Sequence, residues 1–390
     1  MRTYSRTHPW ITFQVDFTKA PTKLWLMLGE AKSKCDHLAN VPLRPETAKR
    51  LHQVYLAKGI QATTAIEGNT LTEEEVLRHL EGQLTLPPSK KYLQAEVENI
   101  LRLFHELTEA IERNHPPALS METLCAFNRG VLKGLDLSDG VKAGEIRTYS
   151  VGVGRYRGAP AEDCGFLLTH LCEWLAGPDF EIPETLASYD FVFALLKAIL
   201  AHLYIAWIHP FGDGNGRTAR MLEVLILLSA GVPTPAVHLL SNHYNQTRAQ
   251  YYRELERASG SGGDVLPFIV YAVQGFLDGL HEQLNWVHDQ QWDVAWRNYV
   301  HERFRQSMES TAHRRRDLLL DLSRAQIPVL LEDVTVLSAN LAKAYATKSK
   351  KALRRDLNVL LEMGLIEETQ EGFRAKKEII LAYRPARLKL

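Results

Sequence analysis

Apolar residues recur at three- and four-residue spacing along most of the chain up to about position 283, a period that predicts helices. The first set covers Ala48 to Gly59, Thr72 to Leu84, Leu93 to Arg113 and Met121 to Leu132, punctuated by Pro87-Pro88 and Pro116-Pro117. The pattern then changes. Between Gly144 and Ala159, Ile146, Tyr149, Val151 and Val153 sit among threonine, serine and glycines, which predicts a short β-hairpin or flap. Helices resume over Cys164 to Leu175 and Thr185 to Ile208. The stretch from Phe191 to Phe211 is almost long enough to cross a bilayer, but it holds Lys197 and His202 and runs into a polar segment. A buried core helix is the expectation, with no membrane contact. Thr218 to Ala230 continues as a helix until Gly231-Val232-Pro233 stops it. Asn245 to Ala258 and Leu266 to Gln283 follow, with a flexible loop expected at Ser259 to Gly263 between them. No internal repeat is apparent.

From about Asn285 the character shifts. A charged helical stretch runs to Arg324, then Val334 to Ala346 and Ser349 to Met363 read as a helix pair closed by Gly364-Leu365-Ile366. Alternation from Glu367 to Tyr383 predicts two strands around Glu371-Gly372. Helix, helix and hairpin in that order resemble a winged helix-turn-helix. Three regions are therefore expected: 1–115, N-terminal helices; 116–284, a helical core carrying the flap; and 285–390, linker helices and the winged-helix module. The fold class expected is mainly α.

The 390 residues contain 46 Lys+Arg and 46 Asp+Glu, so no global field selects nucleic acid or membrane. Any such binding must come from a local patch. One candidate is Ser349 to Leu357, where Lys350, Lys351, Arg354 and Arg355 flank an apolar stripe of Leu353, Leu357 and Leu360. As a recognition helix it would lay these cations on a DNA backbone; as a solvated face it would serve dimerisation or target docking. Both readings stay open. Cys35, Cys125, Cys164 and Cys172 show no paired spacing, so reduced thiols and no zinc site are expected. The first ten residues lack an apolar signal-peptide core, and a cytoplasmic protein is expected.

Chemistry concentrates in His209-Pro210-Phe211-Gly212-Asp213-Gly214-Asn215-Gly216-Arg217-Thr218-Ala219-Arg220. Small residues at 214 to 216, ahead of an apolar-periodic helix, let backbone N–H groups approach an anion, and the helix dipole favours phosphate there. Arg217 and Arg220 lie three apart and can clamp one polyphosphate. Asp213 offers a carboxylate suited to a Mg²⁺ that bridges phosphate oxygens. His209, with an intrinsic pKa of about 6.5, can accept a proton from a hydroxyl near neutrality.

The segment reads H-P-F-x-D-G-N-G-R-x-x-R and resembles the Fic family signature; chance would produce its specified positions in such a chain with odds on the order of 10⁻⁹. That resemblance implies a mostly helical core and transfer of AMP from ATP to a Ser, Thr or Tyr hydroxyl of a protein target, which can be the chain itself. It implies that His209 is the base, that Asp213 holds Mg²⁺, and that Gly214, Asn215 and Gly216 form the anion hole. Arg217 would take the β-phosphate region and Arg220 the γ-phosphate, with Thr218 and Ala219 counted among the ATP-binding positions. Phe211 is expected as a core anchor for the loop.

Thr63-Thr64-Ala65-Ile66-Glu67-Gly68-Asn69 resembles the family's inhibitory pattern, which implies a Glu67–Arg220 ion pair in the place of the γ-phosphate. The flap resemblance implies strand pairing with an extended target segment. It also places Val151, Gly152, Val153 and Gly154 over the nucleotide, although the match downstream of Arg155 is loose. Tyr251 of Tyr251-Tyr252 is a further nucleotide-side candidate. Two alternatives remain beside an autoinhibited adenylyltransferase: a DNA-binding regulator whose nucleotide site is a sensor, and a hydrolase that removes AMP from modified proteins. A homodimer is compatible with each.

Overall fold

The helix Asp190–Ile208 is apolar around its whole circumference, so it can only lie in an interior, and nearly all its side chains are buried. Helix Asn215–Ser229 packs along it, and these two form the centre of the first unit of the computed structural model. The structure describes residues 2–154, 156–182, 184–305 and 309–381. It divides into two compact units, Met1–Asn285 and Trp286–Leu390. The N-terminal helices thus share one unit with the motif-bearing core.

Around the central pair stand Pro45–Ala65, Lys91–Glu112, Met121–Val131, Ala161–Leu175 and Leu239–Gln246. Helix Glu73–Leu80 starts at a capping box in which Thr72 and Glu75 satisfy each other's backbone N–H groups. The segment Ala187–Ile208 is the one stretch among the described residues long and apolar enough to cross a membrane, and 83% of its most apolar 18-residue window is buried.

Several boundaries differ from the periodicity for local reasons. The helix expected to end at Gly59 runs to Ala65, because Gly59 is a packing gap and not a stop: a Cβ there would stand 2.2 Å from the His238 ring. The helix expected over 245–258 is two, Leu239–Gln246 and Arg248–Gly260. Thr247, whose hydroxyl bonds back to the His243 carbonyl at 2.7 Å, lies between them. The 185–208 segment begins as a 3₁₀ turn, Glu184–Tyr189. The glycine-rich stretch 259–263 is the end of helix Arg248–Gly260 and an exposed turn pinned at its far end: a Cβ on Gly263 would meet the Trp10 carbonyl oxygen at 2.6 Å. Helix Leu266–Arg303 extends well beyond Gln283. Helix Thr22–Asn40 has no counterpart in the sequence reading; its buried stripe of Leu24, Met27, Leu28, Ala31, Cys35 and Leu38 is diluted by polar neighbours.

The second unit contains Ser310–Leu322, Ala339–Tyr345 and Lys350–Glu362, followed by an antiparallel hairpin pairing Ile366–Thr369 with Gly372–Ala375. A bridge between Val329 and Phe373 adds to it. Trp296, Leu318, Leu319, Leu341, Leu357 and Phe373 belong to its core. The hairpin is shorter than the alternation to Tyr383 predicts: Lys377–Ile380 is a 3₁₀ turn, and positions 382–383 lie outside the described residues.

Candidate active site

His209 ends the central apolar helix in the left-handed region, φ 49° and ψ 59°, a conformation that costs a non-glycine residue roughly 1–2 kcal/mol. The neighbouring structure holds it there. Arg147, 4% exposed, donates from Nε to the His209 carbonyl at 2.7 Å and from Nη1 to Tyr149 O at 2.6 Å. Its Nη2 reaches the Ala159 and Ile208 carbonyls, and its backbone N–H reaches Pro210 O at 3.0 Å. One guanidinium thereby ties both ends of the flap to the loop. Asn215 closes the loop on the other side: its Oδ1 accepts from Phe211 N at 2.9 Å and its Nδ2 donates to Phe211 O at 2.8 Å. Asn128, fully buried, donates to Asp213 O at 2.8 Å and accepts from Gly144 N at 2.9 Å. Phe211, 1% exposed, is the hydrophobic anchor. Gly212 leaves room for the Tyr149 hydroxyl, which a Cβ would approach to 2.3 Å.

Burial pushes the His209 pKa down to about 4, with the Arg147 charge adding to it and the Ala206 carbonyl opposing it. At neutral pH the ring is therefore uncharged and free to accept a proton.

Beside it lies a glycine-floored anion cradle. Helix Asn215–Ser229 opens behind Gly214 (φ 77°), and Gly216 sits in its first turn. A Cβ at 216 would come within 2.2 Å of Glu67 Oε1 and 3.0 Å of Arg220 Nη1, so only glycine lets an oxygen anion this close. The Glu67 carboxylate occupies that place. Arg220 Nη2 donates to Glu67 Oε1 at 2.6 Å and to Thr63 O at 2.8 Å. Burial raises the Glu67 pKa, but Arg220, joined by Arg217 and His209, more than reverses it and keeps the group ionised. Arg217 pairs with Glu96 Oε1 at 3.1 Å and with Asp213 Oδ1 at 3.3 Å. The buried Nε atoms of Arg217 and Arg220 have no hydrogen-bond partner among the described residues. Asp213 is half exposed, and its Oδ1 also accepts from Gly214 N at 2.5 Å.

The predicted residues His209, Asp213, Gly214, Asn215, Gly216, Arg217, Arg220 and Glu67 thus converge. Three others do not face the cradle. Thr218 and Ala219 are fully buried in the helix–helix core, with Thr218 Oγ1 meeting Asn128 at 3.3 Å, so they support the helix. Tyr251 is 4% exposed, with its hydroxyl on His202 Nε2 at 2.8 Å and its ring stacked on Tyr244; its neighbour Tyr252 is the exposed one. Tyr251 feels the Arg220 and Glu67 charges without presenting its ring to solvent. The flap is a hairpin in which Gly152–Val153 pairs with Tyr156–Arg157, and Val153 is exposed; Arg155 lies outside the described residues. Arg147, Asn128 and Glu96 also shape the site and carry no local signature, and the role of Asn69 within the inhibitory segment is not apparent from its neighbours. A lone arginine within a β-like stretch and isolated Asn or Glu residues on helices are ordinary until the fold brings them together.

The sequence profile of the Fic/DOC family matches residues 118–227, from the helix before the flap through most of the motif helix. Among curated relatives, the chain is similar to the protein adenylyltransferase fic-1 of Caenorhabditis elegans, 31% identical over 54% of this chain and 38% of that protein. It is also similar to the protein adenylyltransferase Fic of Nematostella vectensis, 28% identical over 64% of this chain and 53% of that one. The chain thus spans about two fifths to a half of these relatives' length. Among solved structures, a Fic family protein from Desulfovibrio desulfuricans matches with TM-score 0.56 and 26% identity, covering 92% of this chain and 93% of that one. C. elegans Fic-1 matches with TM-score 0.53 and 26% identity over 68% and 73%. The segment similar to the Fic/DOC family is the part of this chain that holds the loop, the Gly216 floor and both arginines.

Proposed function

We propose that this Fic-domain chain is an autoinhibited protein adenylyltransferase that moves AMP from ATP to a hydroxyl of a protein target. The observation that carries the reading is the Glu67 carboxylate on the Gly216 floor: an anion bonded to Arg220 already sits in the cradle. A triphosphate is the natural competitor for such a place. With ATP bound, Arg217 and Arg220 neutralise its outer phosphates. The neutral His209 takes the proton of the incoming hydroxyl, whose oxygen bonds to the α-phosphorus as the bond to pyrophosphate breaks. The exposed edge at Val153 offers backbone groups to an extended target segment.

Asp213 fits a role as Mg²⁺ ligand: it is half exposed, and no cluster of three acidic, His or Cys side chains exists among the described residues. A single carboxylate suits a hard ion held mostly by substrate phosphates and water. The ion would neutralise phosphate charge.

Incubation with α-labelled ATP and candidate targets tests this. Label should enter protein in the wild type and disappear in His209→Ala. Nucleotide binding with no incorporation in any Glu67 variant would make the domain a sensor instead.

A second reading concerns the C-terminal unit, whose helices and hairpin we interpret as a winged helix-turn-helix. Positions 339–355 hold six Lys or Arg and no Asp or Glu, and Lys343, Lys348, Lys350, Lys351 and Arg355 are exposed. Arg354 is turned onto Glu368 at 2.9 Å and is less available. This patch supports contact with duplex DNA phosphates. Binding should weaken steeply with salt and be lost when Lys350, Lys351 and Arg355 are replaced; salt-insensitive binding would exclude it.

A further inference from the structure

We propose that Asn69 and Glu96 form a second latch on the inhibitory turn, acting through Arg217 as Glu67 acts through Arg220. Asn69 lies two residues past Glu67 on the same turn, across Gly68 at φ 104°. It is 6% exposed and its side chain is fully engaged. Its Nδ2 donates to Leu93 O at 2.9 Å and to Glu96 Oε2 at 2.8 Å, while its Oδ1 accepts from Leu71 N at 3.0 Å. Its backbone N–H closes the turn onto Thr64 O at 3.2 Å. The other Glu96 oxygen accepts from Arg217 Nη1 at 3.1 Å.

A continuous chain of bonds therefore runs from the turn through Asn69 and Glu96 to Arg217, and from the same turn through Glu67 to Arg220. Both arginines assigned to the triphosphate are held by the turn when no nucleotide is bound. The coupling is reciprocal. A phosphate that draws Arg217 away weakens the Glu96 anchor and loosens the turn; a loosened turn frees Glu96 and lowers the cost of phosphate binding. Asn69 and Glu96 are positioning residues. A carboxylate and an amide used only as scaffold would lower activity when removed, whereas latch residues raise it.

The inference rests on the adenylyl-transfer reading for its rate readout alone. The first experiment measures AMP transfer at sub-saturating ATP for wild type, Asn69→Ala, Glu67→Gly and the double variant. Asn69→Ala should raise the rate about three- to tenfold by lowering KM for ATP, and should add nothing in the Glu67→Gly background. Glu96→Gln, which keeps the shape but removes the charge on Arg217, should act in the same direction. The second experiment reads amide hydrogen exchange of residues 63–71 without nucleotide, which needs no activity. Exchange should quicken in Asn69→Ala and Glu96→Gln, and in wild type when ATP is added. Unchanged exchange in both variants, or an equal loss of rate in both backgrounds, would overturn the latch. If Glu67→Gly itself transfers nothing, the catalytic reading fails and the exchange experiment still decides this one.

Discussion

Each unit of the molecule holds a carboxylate against a buried or half-buried arginine, Asp356 in one and Glu67 in the other, and the two are built differently. Asp356 in the C-terminal unit is 1% exposed and saturated: Oδ1 accepts from Arg315 Nε at 2.8 Å, and Oδ2 from Arg314 Nε at 2.9 Å and Tyr345 Oη at 2.8 Å. Burial alone would raise its pKa, and these three partners reverse that. Glu67 in the first unit keeps 28% of its side chain exposed and uses one oxygen toward Arg220, whose Nε has no partner among the described residues. A buried charge with every lone pair engaged has nothing to gain from a ligand. One that leaves a donor orphaned on a glycine floor is a reversible occupant. Saturation separates the fastener from the lock.

Removing the saturated carboxylate should have the largest effect. Asp356→Ala leaves two arginines facing each other, and the C-terminal unit should lose about 3–5 kcal/mol, read by denaturant unfolding of the full chain followed by tryptophan fluorescence. A loss below about 1 kcal/mol would mean that the cluster is ornamental.

Next comes acid. Burial pushes His238, which is 1% exposed with both ring nitrogens unpartnered, down to about 4, the same value as His209. Below the ordinary value of about 6.5 the unfolded chain takes up these protons and the folded one does not. Stability is therefore full above pH 6.5 and falls as pH drops from about 6.5 to about 4, by up to about 3 kcal/mol for His238. Urea melts across that range should show the slope, and His209→Ala should remove that residue's share while His238's persists.

Gly216→Ala probes the lock from below. Its Cβ collides with the carboxylate and with any phosphate that replaces it, so ATP affinity and AMP transfer should drop about tenfold or more, even with Glu67 replaced by glycine. Gly29, in the middle of Thr22–Asn40 with open space around it, is the control: Gly29→Ala should stabilise by roughly 0.5–1 kcal/mol and leave nucleotide binding unchanged.

The sequence made the helical class, the flap and the loop from His209 to Arg220 legible because their signals are short-range: a 3.6-residue period, a run of β-formers with glycines, and a dense motif. What it hid depends on distance along the chain. Asn128 and Asp213 meet across 85 residues, Arg217 and Glu96 across 121, and Arg147 reaches the His209 carbonyl across 62. Glu67 could be foreseen because its own neighbours, Asn69 among them, form a pattern; Glu96 and the bond from Asn69 to it could not. The inward turn of Tyr251 was hidden for the converse reason, since an aromatic pair beside a polar helix says nothing about which ring faces the core.

The most direct test compares AMP-transfer rates of wild type and Glu67→Gly at sub-saturating ATP with Mg²⁺, with His209→Ala as the blank. Loss of one charge-assisted bond in the cradle, about 1.5–3 kcal/mol, predicts an increase of roughly ten- to a hundredfold. A rate equal to or below that of the wild type would contradict the claim that Glu67 stands where the phosphate belongs.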